Sequence, residues 1–348
     1  MSVRLLGLTS LRRAAWVCIC TTVFVGCASK VLEYAKSDEK LRTEEYDKQV
    51  HVKDVAPTMP SGPVPEVKPD EPGSKKKKKK KKISKKEAAK KIGPHEPALE
   101  DKEGFIGRRP IKDPFRVGEV TALNLSYFNV VAGEMDIMVK PMVEVNGEKS
   151  YQFEVHAFSN SFFNHIYGVD DTATTYLNYD TMTPANLQIS IKESKQLAEA
   201  RTFFDWKNLK ASYWQKKITK EHGEEEKKLE WAIKEYSQNV ISAAYYLRTF
   251  QFEVGKKLAF RVADEGKNIE FTGEVLRKEK LQTDIGELNT VVMKPHIVVD
   301  GVFTPIGDVL LWLTDDDRHF LVRLETKIKI GTIVAKLKSL EKGQETPP

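Results

Sequence analysis

From about Phe105 onward, apolar and polar residues alternate with a period of two, in short runs separated by turn residues. Successive side chains of an extended strand point to opposite faces, so this pattern specifies sheet and argues against a helical bundle. Met135, Ile137, Val139, Val143 and Val145 alternate with Glu134, Asp136, Lys140 and Glu144. After Asn146-Gly147 the pattern resumes as Tyr151, Phe153, Val155 and Ala157 against Gln152, Glu154 and His156. Asn-Gly between two alternating runs signals a tight hairpin, because both residues tolerate positive φ. The pattern returns at Leu187/Ile189/Ile191, Leu229/Trp231/Ile233, Leu258/Phe260/Val262, Ile269/Phe271/Val275 and Phe320/Val322/Leu324, with turn residues between the runs. Alternation with one wet face points to antiparallel pairing. The expected fold is all-β and mainly antiparallel, a single strongly curved sheet or half-open barrel of about a dozen strands over residues 105–342. Residues 343–348 read as a disordered tail.

One stretch departs from the alternation. Asn239 to Phe250 places Val240, Ala244 and Leu247 at helical spacing with Ile241 and Tyr245 beside them, which predicts a short buried helix over about 239–250. Ser159 to Tyr167 could hold a further helical turn.

The N-terminus has the parts of an export signal. Arg4, Arg12 and Arg13 precede an apolar run from Ala14 to Val25, and Phe24-Val25-Gly26-Cys27 closes it. The run is too short to cross a bilayer, which takes ~20 apolar residues. The four residues resemble the processing site of bacterial lipoproteins, with Phe24 where Leu is usual. That resemblance implies a signal peptide over 1–26 and a Cys27 that is acylated and anchors the chain to membrane. Ala28, not an aspartate, implies outer-membrane sorting, with the protein facing the periplasm. The three cysteines are Cys18, Cys20 and Cys27, so the folded part has no disulfide framework and no cysteine-based metal site.

Residues 27–104 read as a disordered, Lys- and Pro-rich tether, because the stretch nearly lacks periodic apolar positions. Within it, Leu32, Tyr34, Leu41 and Tyr46 would allow a frayed helix over Lys30 to Asp47. The 77 residues from Cys27 to Gly104 would reach up to ~250 Å fully extended. Lys75–Lys82 is an unbroken run of eight, and it accounts for the net charge of +6; the chain outside the lysine-rich block is net acidic. Such a run is either a solvated spacer with no specific partner or a grip on anionic head groups or envelope polymers, worth ~1 kcal/mol per lysine near a charged bilayer. Nucleic acid is not an expected partner outside the cytoplasm.

The folded stretch also carries a characteristic order of features. Tyr127 and Gly133 come first, then Pro184, then Ala243-Ala244-Tyr245-Tyr246-Leu247-Arg248. Asp308 to Asp317 (DVLLWLTDDD) and Ile330-Gly331 with apolar alternation to Leu340 complete it. This resembles the exported bacterial family known as domain of unknown function 3108, over about 115–341. The resemblance implies a curved antiparallel domain in the cell envelope and no particular activity.

No phosphate-cradling glycine loop, nucleophile elbow or His-Glu-x-x-His stretch occurs, and no cofactor is expected. Asp315, Asp316 and Asp317 could hold a cation through carboxylate oxygens, but a charged hairpin turn is the favoured reading. Arg248 follows the apolar helix and, if buried, needs a carboxylate; one of those three aspartates is a candidate. Phe203, Tyr213, Trp214, Trp231 and Tyr245 are candidates to line an aromatic concave face. In the adjacent pairs Phe203-Phe204 and Tyr213-Trp214, one member must point away from the core. If those members share a face, the sheet has two apolar sides.

Three functions follow as expectations. The first is a non-catalytic module that cradles an apolar ligand or binds an envelope partner. The second is a structural or assembly lipoprotein that grips anionic polymer with its lysines. The third, least favoured, is an envelope hydrolase.

Overall fold

The structure is a computed structural model and describes residues 41, 43–55, 105–106, 109–299, 302–304, 308–327 and 331–344. The region 1–26, Cys27, the Lys75–Lys82 run and residues 345–348 lie outside the described residues. Along the chain come α1 (Glu44–Asp47), β1 (Val52–Asp54), β2 (Phe105–Ile106), β3 (Arg109–Pro110), β4 (Val117–Tyr127), β5 (Val130–Val145) and β6 (Glu148–Ser159). Next are α2 (Ser161–Asn164), β7 (Asp170–Asn178), β8 (Asn186–Lys192), β9 (Gln196–Asp205), β10 (Lys210–Thr219) and β11 (Gly223–Ala232). The second half holds α3 (Val240–Leu247), β12 (Lys257–Asp264), β13 (Lys267–Thr283), β14 (Gly286–Val299), β15 (Val302–Thr304), β16 (Val309–Thr314), β17 (Leu321–Lys327) and β18 (Thr332–Gln344).

The alternating runs build one sixteen-stranded sheet with antiparallel ladders. The sheet is larger than the dozen strands read from the pattern, because β1 and β15 are too short to show a period. β18 also continues to Gln344, into the expected tail. The sheet consists of two meanders. β18 pairs with β4, so the first and last long strands lie side by side, and β11 and β12 become the two outer strands. Those outer strands curl toward each other. Lys227 of β11 reaches Glu265 in the β12–β13 turn at 3.2 Å. The backbone of Gln238 bonds β12 through Arg261 O and Ala263 N, both at 2.8 Å. β11 and β12 share no ladder, so the curl stays open and is not a barrel.

Helix α3 fills the concave side, within the span expected for it. Tyr245, Tyr246 and Leu247 are buried there with Phe153, Leu177, Phe260 and Met293. The Tyr245 ring stacks on Phe153 at 3.9 Å between centroids. An eight-residue helix in a dry interior must satisfy its end groups. Asn239 does so at the N-terminus: its side chain accepts from Ile241 N and Ser242 N, and Ser242 Oγ accepts from Asn239 N. The Asn239 amide donates onward to Thr175 Oγ1 and Asn186 O, which seats the helix on β7 and β8.

At the opposite face, the reading of residues 27–104 as unstructured fails for part of its length. Residues 43–55 form a strap across the outside of the sheet. Tyr46 is only 3% exposed, against Val143, Val145, Tyr176 and Trp214, with Phe203 beside them. Its hydroxyl accepts from the side-chain amides of Asn186 and Gln188. Phe203 and Trp214 do share a face, so the sheet has two apolar sides and the chain covers the second with its own tyrosine. Farther along, β1 extends the sheet by pairing Val52–Asp54 with Val143–Val145. The Asn146-Gly147 turn, with φ of 51° and 86°, takes the left-handed conformation its sequence predicts. It also clips the strap: Asn146 Oδ1 accepts from His51 N, and Asn146 Nδ2 donates to Gln49 O. The helical turn α1 falls at the end of the Lys30 to Asp47 stretch that could read as a frayed helix; its docking was hidden in the sequence because the pocket is assembled from β5, β7, β8 and β10, all far from residue 46.

Tyr46→Ala removes a buried aromatic, a loss of about 3 kcal/mol or more. The expected result is faster amide exchange across 43–54, by roughly a hundredfold, and rapid tryptic cleavage at Lys48 and Lys53. The melting temperature should fall by several degrees, since the docking free energy of the strap is part of the stability of the folded state, while exchange in α3 and the concave core keeps its protection pattern; loss of protection there as well would mean that the strap is part of the core.

Candidate functional site

The five residues expected to line one aromatic cradle lie on different surfaces. Tyr245 is in the concave core, where its hydroxyl donates to Met138 O at 2.8 Å. Tyr213 points to the same side of the sheet and lies beneath the Lys227 ammonium at 5.3 Å. Trp231 packs at the edge of a small cluster of Phe204, Ala211, Ile233 and Ala263. Phe203 and Trp214 are on the outer face, under the strap. Side chains alternate along a strand, so neighbours in sequence cannot converge. The set does not form a cradle, and the space where a ligand would sit is taken by α3.

Arg248 caps the C-terminus of α3 and is 5% exposed. Its partner is not one of the three aspartates but Glu119, at 2.5 Å, with Glu119 itself 1% exposed. Arg318 reaches the other Glu119 oxygen at 2.7 Å. Both arginines also donate to Pro114 O, and Arg248 Nε donates to Arg318 O. Glu119 enters the core because it lies on the inward face of β4, in line with Thr121 and Leu123. His319 completes the group, its Nδ1 2.8 Å from Arg248 O, and burial holds its pKa below the usual imidazole value. Both oxygens of Glu119 and all three guanidinium nitrogens of Arg248 are engaged within the fold, which makes the group a buried brace between helix and sheet.

The aspartates are engaged elsewhere, in the turn between β16 and β17. Asp316 accepts from Arg318 N and His319 N, Asp315 pairs with Lys278, and Asp317 pairs with Lys112. Their charges serve the turn and the surface, as the hairpin reading expected. No group of three or more His, Cys, Asp or Glu that could hold a metal ion occurs among the described residues.

A second acidic group lies near the opposite end of the sheet. Burial first, and then the adjacent Glu193, push the Asp171 carboxyl up to about 7. Its Oδ1 accepts from Lys192 N, and the neighbouring Asp170 meets His156 Nε2 at 2.6 Å. No sequence signal marked Asp171 or Glu193, because the ladder that joins β7 to β8 brings them together. Glu119 escaped for a similar reason: β4 lies more than a hundred residues from the helix it braces.

Two measurements follow. Arg248→Met leaves Glu119 buried with only Arg318 as a partner; the cost should be about 3 kcal/mol in chemical denaturation, and much of it should return in Glu119→Leu/Arg248→Met. Asp171 has a folded-state pKa above its unfolded one, so it opposes folding increasingly as pH rises from about 4 to about 7. Asp171→Asn should therefore raise the melting temperature by a few degrees at pH 8 and hardly at all at pH 4.

Comparisons with known proteins add the lineage. No curated protein sequence matches the chain. Among solved structures, a β-barrel-like protein of domain of unknown function 1849 from Brucella abortus has a TM-score of 0.40 at 11% identity, covering 65% of this chain and 97% of its own. A protein from Bacteroides fragilis described as exported, with a YmcC-like fold, has a TM-score of 0.31 at 9% identity, covering 66% and 97%. A protein from Parabacteroides distasonis described as a lipoprotein has a TM-score of 0.28 at 11% identity, covering 65% and 95%. The model of the DUF3108 family, described as a protein of unknown function, matches residues 119–338, from the buried Glu119 to the last strand, and the chain belongs to that family.

Proposed function

We propose that this chain is an exported lipoprotein of the cell envelope, acylated on Cys27, whose β domain works as a structural or assembly module. The observation that carries this reading is the filled concave side. Tyr245 stacks on Phe153, Tyr246 meets Phe250 and Phe260 edge-on, and α3 occupies the volume a carrier would leave for its ligand. Two hollows on the described surface support it too, since both are open and lined mainly by charged side chains such as Glu45, Lys216 and Glu226, or Lys112, Asp113 and Arg318. Ligand pockets are mostly apolar with a few convergent polar groups, which neither hollow is. The Glu119 carboxylate is shared between Arg248 and Arg318, as suits a structural brace.

In this reading the export signal and Cys27 place the domain at a membrane, with the outer membrane favoured by Ala28. Lys75–Lys82 adds attraction to anionic head groups or envelope polymers. An apolar-ligand carrier is the alternative, and it would require α3 to move out of the curl.

Native mass spectrometry of the chain purified from membranes tests the choice. The expected mass is the polypeptide from Cys27 plus its acyl groups, and Cys27→Ser should remain an unprocessed precursor. An apolar molecule bound in one-to-one amount would establish the carrier instead.

A further inference from the structure

At the end of the sheet where β4 turns into β5, two loops project side by side. The first is Tyr127–Gly133 and the second is Ser159–Gly168, which contains α2. Asn160 fastens them together, its side chain donating to Val131 O at 2.6 Å and its backbone to Ala132 O at 3.0 Å. In a chain that is 30% charged, these loops contain no Asp, Glu, Lys or Arg. Their tips are exposed: Phe128 by 63%, Val130 by 53%, Phe162 by 67% and Ile166 by 53%. Neighbouring turns at the same end are ordinary charged turns, with Glu193 and Lys195 in one and Lys220 and Glu221 in another. The uncharged sector is therefore local and sharply bounded.

Phe128 is also held in an unusual conformation. Its φ is +49° and that of Asn129 is +60°, in a turn where Asn and Gly are the ordinary occupants. Gly331 makes this possible, since a Cβ there would come within 3.1 Å of the Phe128 ring and 3.2 Å of the Tyr127 ring. A bulky residue kept at positive φ with its ring in water costs stability, and such strain concentrates at functional positions.

The strap sets how close this end can come to a surface that holds Cys27. Following the pairing register across the sheet, Trp214 is level with Met138, by way of Arg201, Gln188, Thr174 and Glu154. Thr43 and Glu44 lie over Trp214–Lys216, whereas β1 ends opposite Val143. The strap thus enters nearer the Phe128 end than it leaves. Sixteen residues separate Cys27 from Thr43, a reach of at most ~55 Å. That is far shorter than the ~250 Å of a tether running to Gly104. It also places Lys75–Lys82 beyond the strap in sequence, off the covalent path from Cys27 to the docked segment.

We propose that the Phe128 end of the domain lies on a lipid bilayer, with Phe128, Val130, Val131, Phe162 and Ile166 seated in the head-group layer. Narrow protruding tips with aromatic and branched aliphatic side chains suit insertion among head groups better than the flat burial of a protein interface. The short reach from Cys27 keeps the domain close to the surface, within range for those tips to enter it. This inference rests on the membrane anchoring proposed above, deepens it by naming the contacting surface, and is testable apart from it.

The chain beginning at Cys27 is coupled through that thiol to a maleimide lipid in phosphatidylcholine vesicles. Zwitterionic lipid minimises any pull from the lysines, and chemical coupling removes any dependence on cellular processing. Amide hydrogen exchange is then compared with and without vesicles. The expected result is exchange roughly tenfold slower in 127–133 and 159–168 on vesicles. The Asn146 turn at the other end should be unchanged, and the protection should be lost in Phe128→Ser/Phe162→Ser. Exposed tips tolerate serine, so an unchanged melting temperature shows that this variant is folded. Unprotected tips, or protection centred on the Asn146 end, would overturn the proposal. So would concentration-dependent protection without vesicles, which would make the tips a contact between copies of the chain. If the tips are protected here but Cys27→Ser is processed normally in cells, the lipid-facing surface stands and the anchoring assignment falls.

Discussion

A helix enclosed by a sheet has no water to satisfy its ends, and the architecture of this domain follows from that constraint. Asn239 closes the N-terminus of α3 with its amide oxygen, and Arg248 sits at the other end with its charge shared by Glu119. These two anchors reach opposite parts of the sheet: Asn239 bonds β7 and β8, and Arg248 bonds β4 together with the β16–β17 turn. The helix therefore ties the two meanders into one curl, although β11 and β12 form no ladder. A buried ion pair adds little net stability on its own, but its loss exposes the partner to an apolar interior. Specification of one closed arrangement is the role that fits Arg248.

The outer face repeats the logic on a smaller scale. Asn186 accepts through its backbone carbonyl from Asn239 and donates through its side chain to Tyr46. One residue thus joins the helix inside the curl to the strap outside it. The strap covers the second apolar side and completes the edge of β5. It also separates the residues between Cys27 and Thr43 from those that follow β1. With the anchoring proposed for Cys27, such an attachment would give the domain a preferred side toward the membrane, the role proposed for the loops at the Phe128 end.

Legibility in the sequence followed the range of the interaction. The Asn146-Gly147 turn, the alternating strands and the helix near 239–250 are local, and each reads from a handful of neighbours. The need of a buried Arg248 for a carboxylate also reads locally, since it follows from desolvation. The identity of that carboxylate does not, because Asp315–Asp317 were consumed by their own turn and Glu119 came from a strand more than a hundred residues away. The aromatic candidates divided along the same line. Alternation correctly put Phe203 and Phe204 on opposite faces, but only the ladder registers decide that Phe203 shares its face with Trp214 and not with Tyr213.

By itself, the sequence determined an antiparallel sheet, a buried helix, a candidate anchor at Cys27 and family membership, since all of these are written in spacing and short motifs. The tertiary structure alone decided that the concave side is filled, that Glu119 receives Arg248, and that Tyr46 turns part of an apparent spacer into a clasp. Each of those outcomes depends on groups brought together by long-range strand pairing, and no pattern within a window of the chain carries that information.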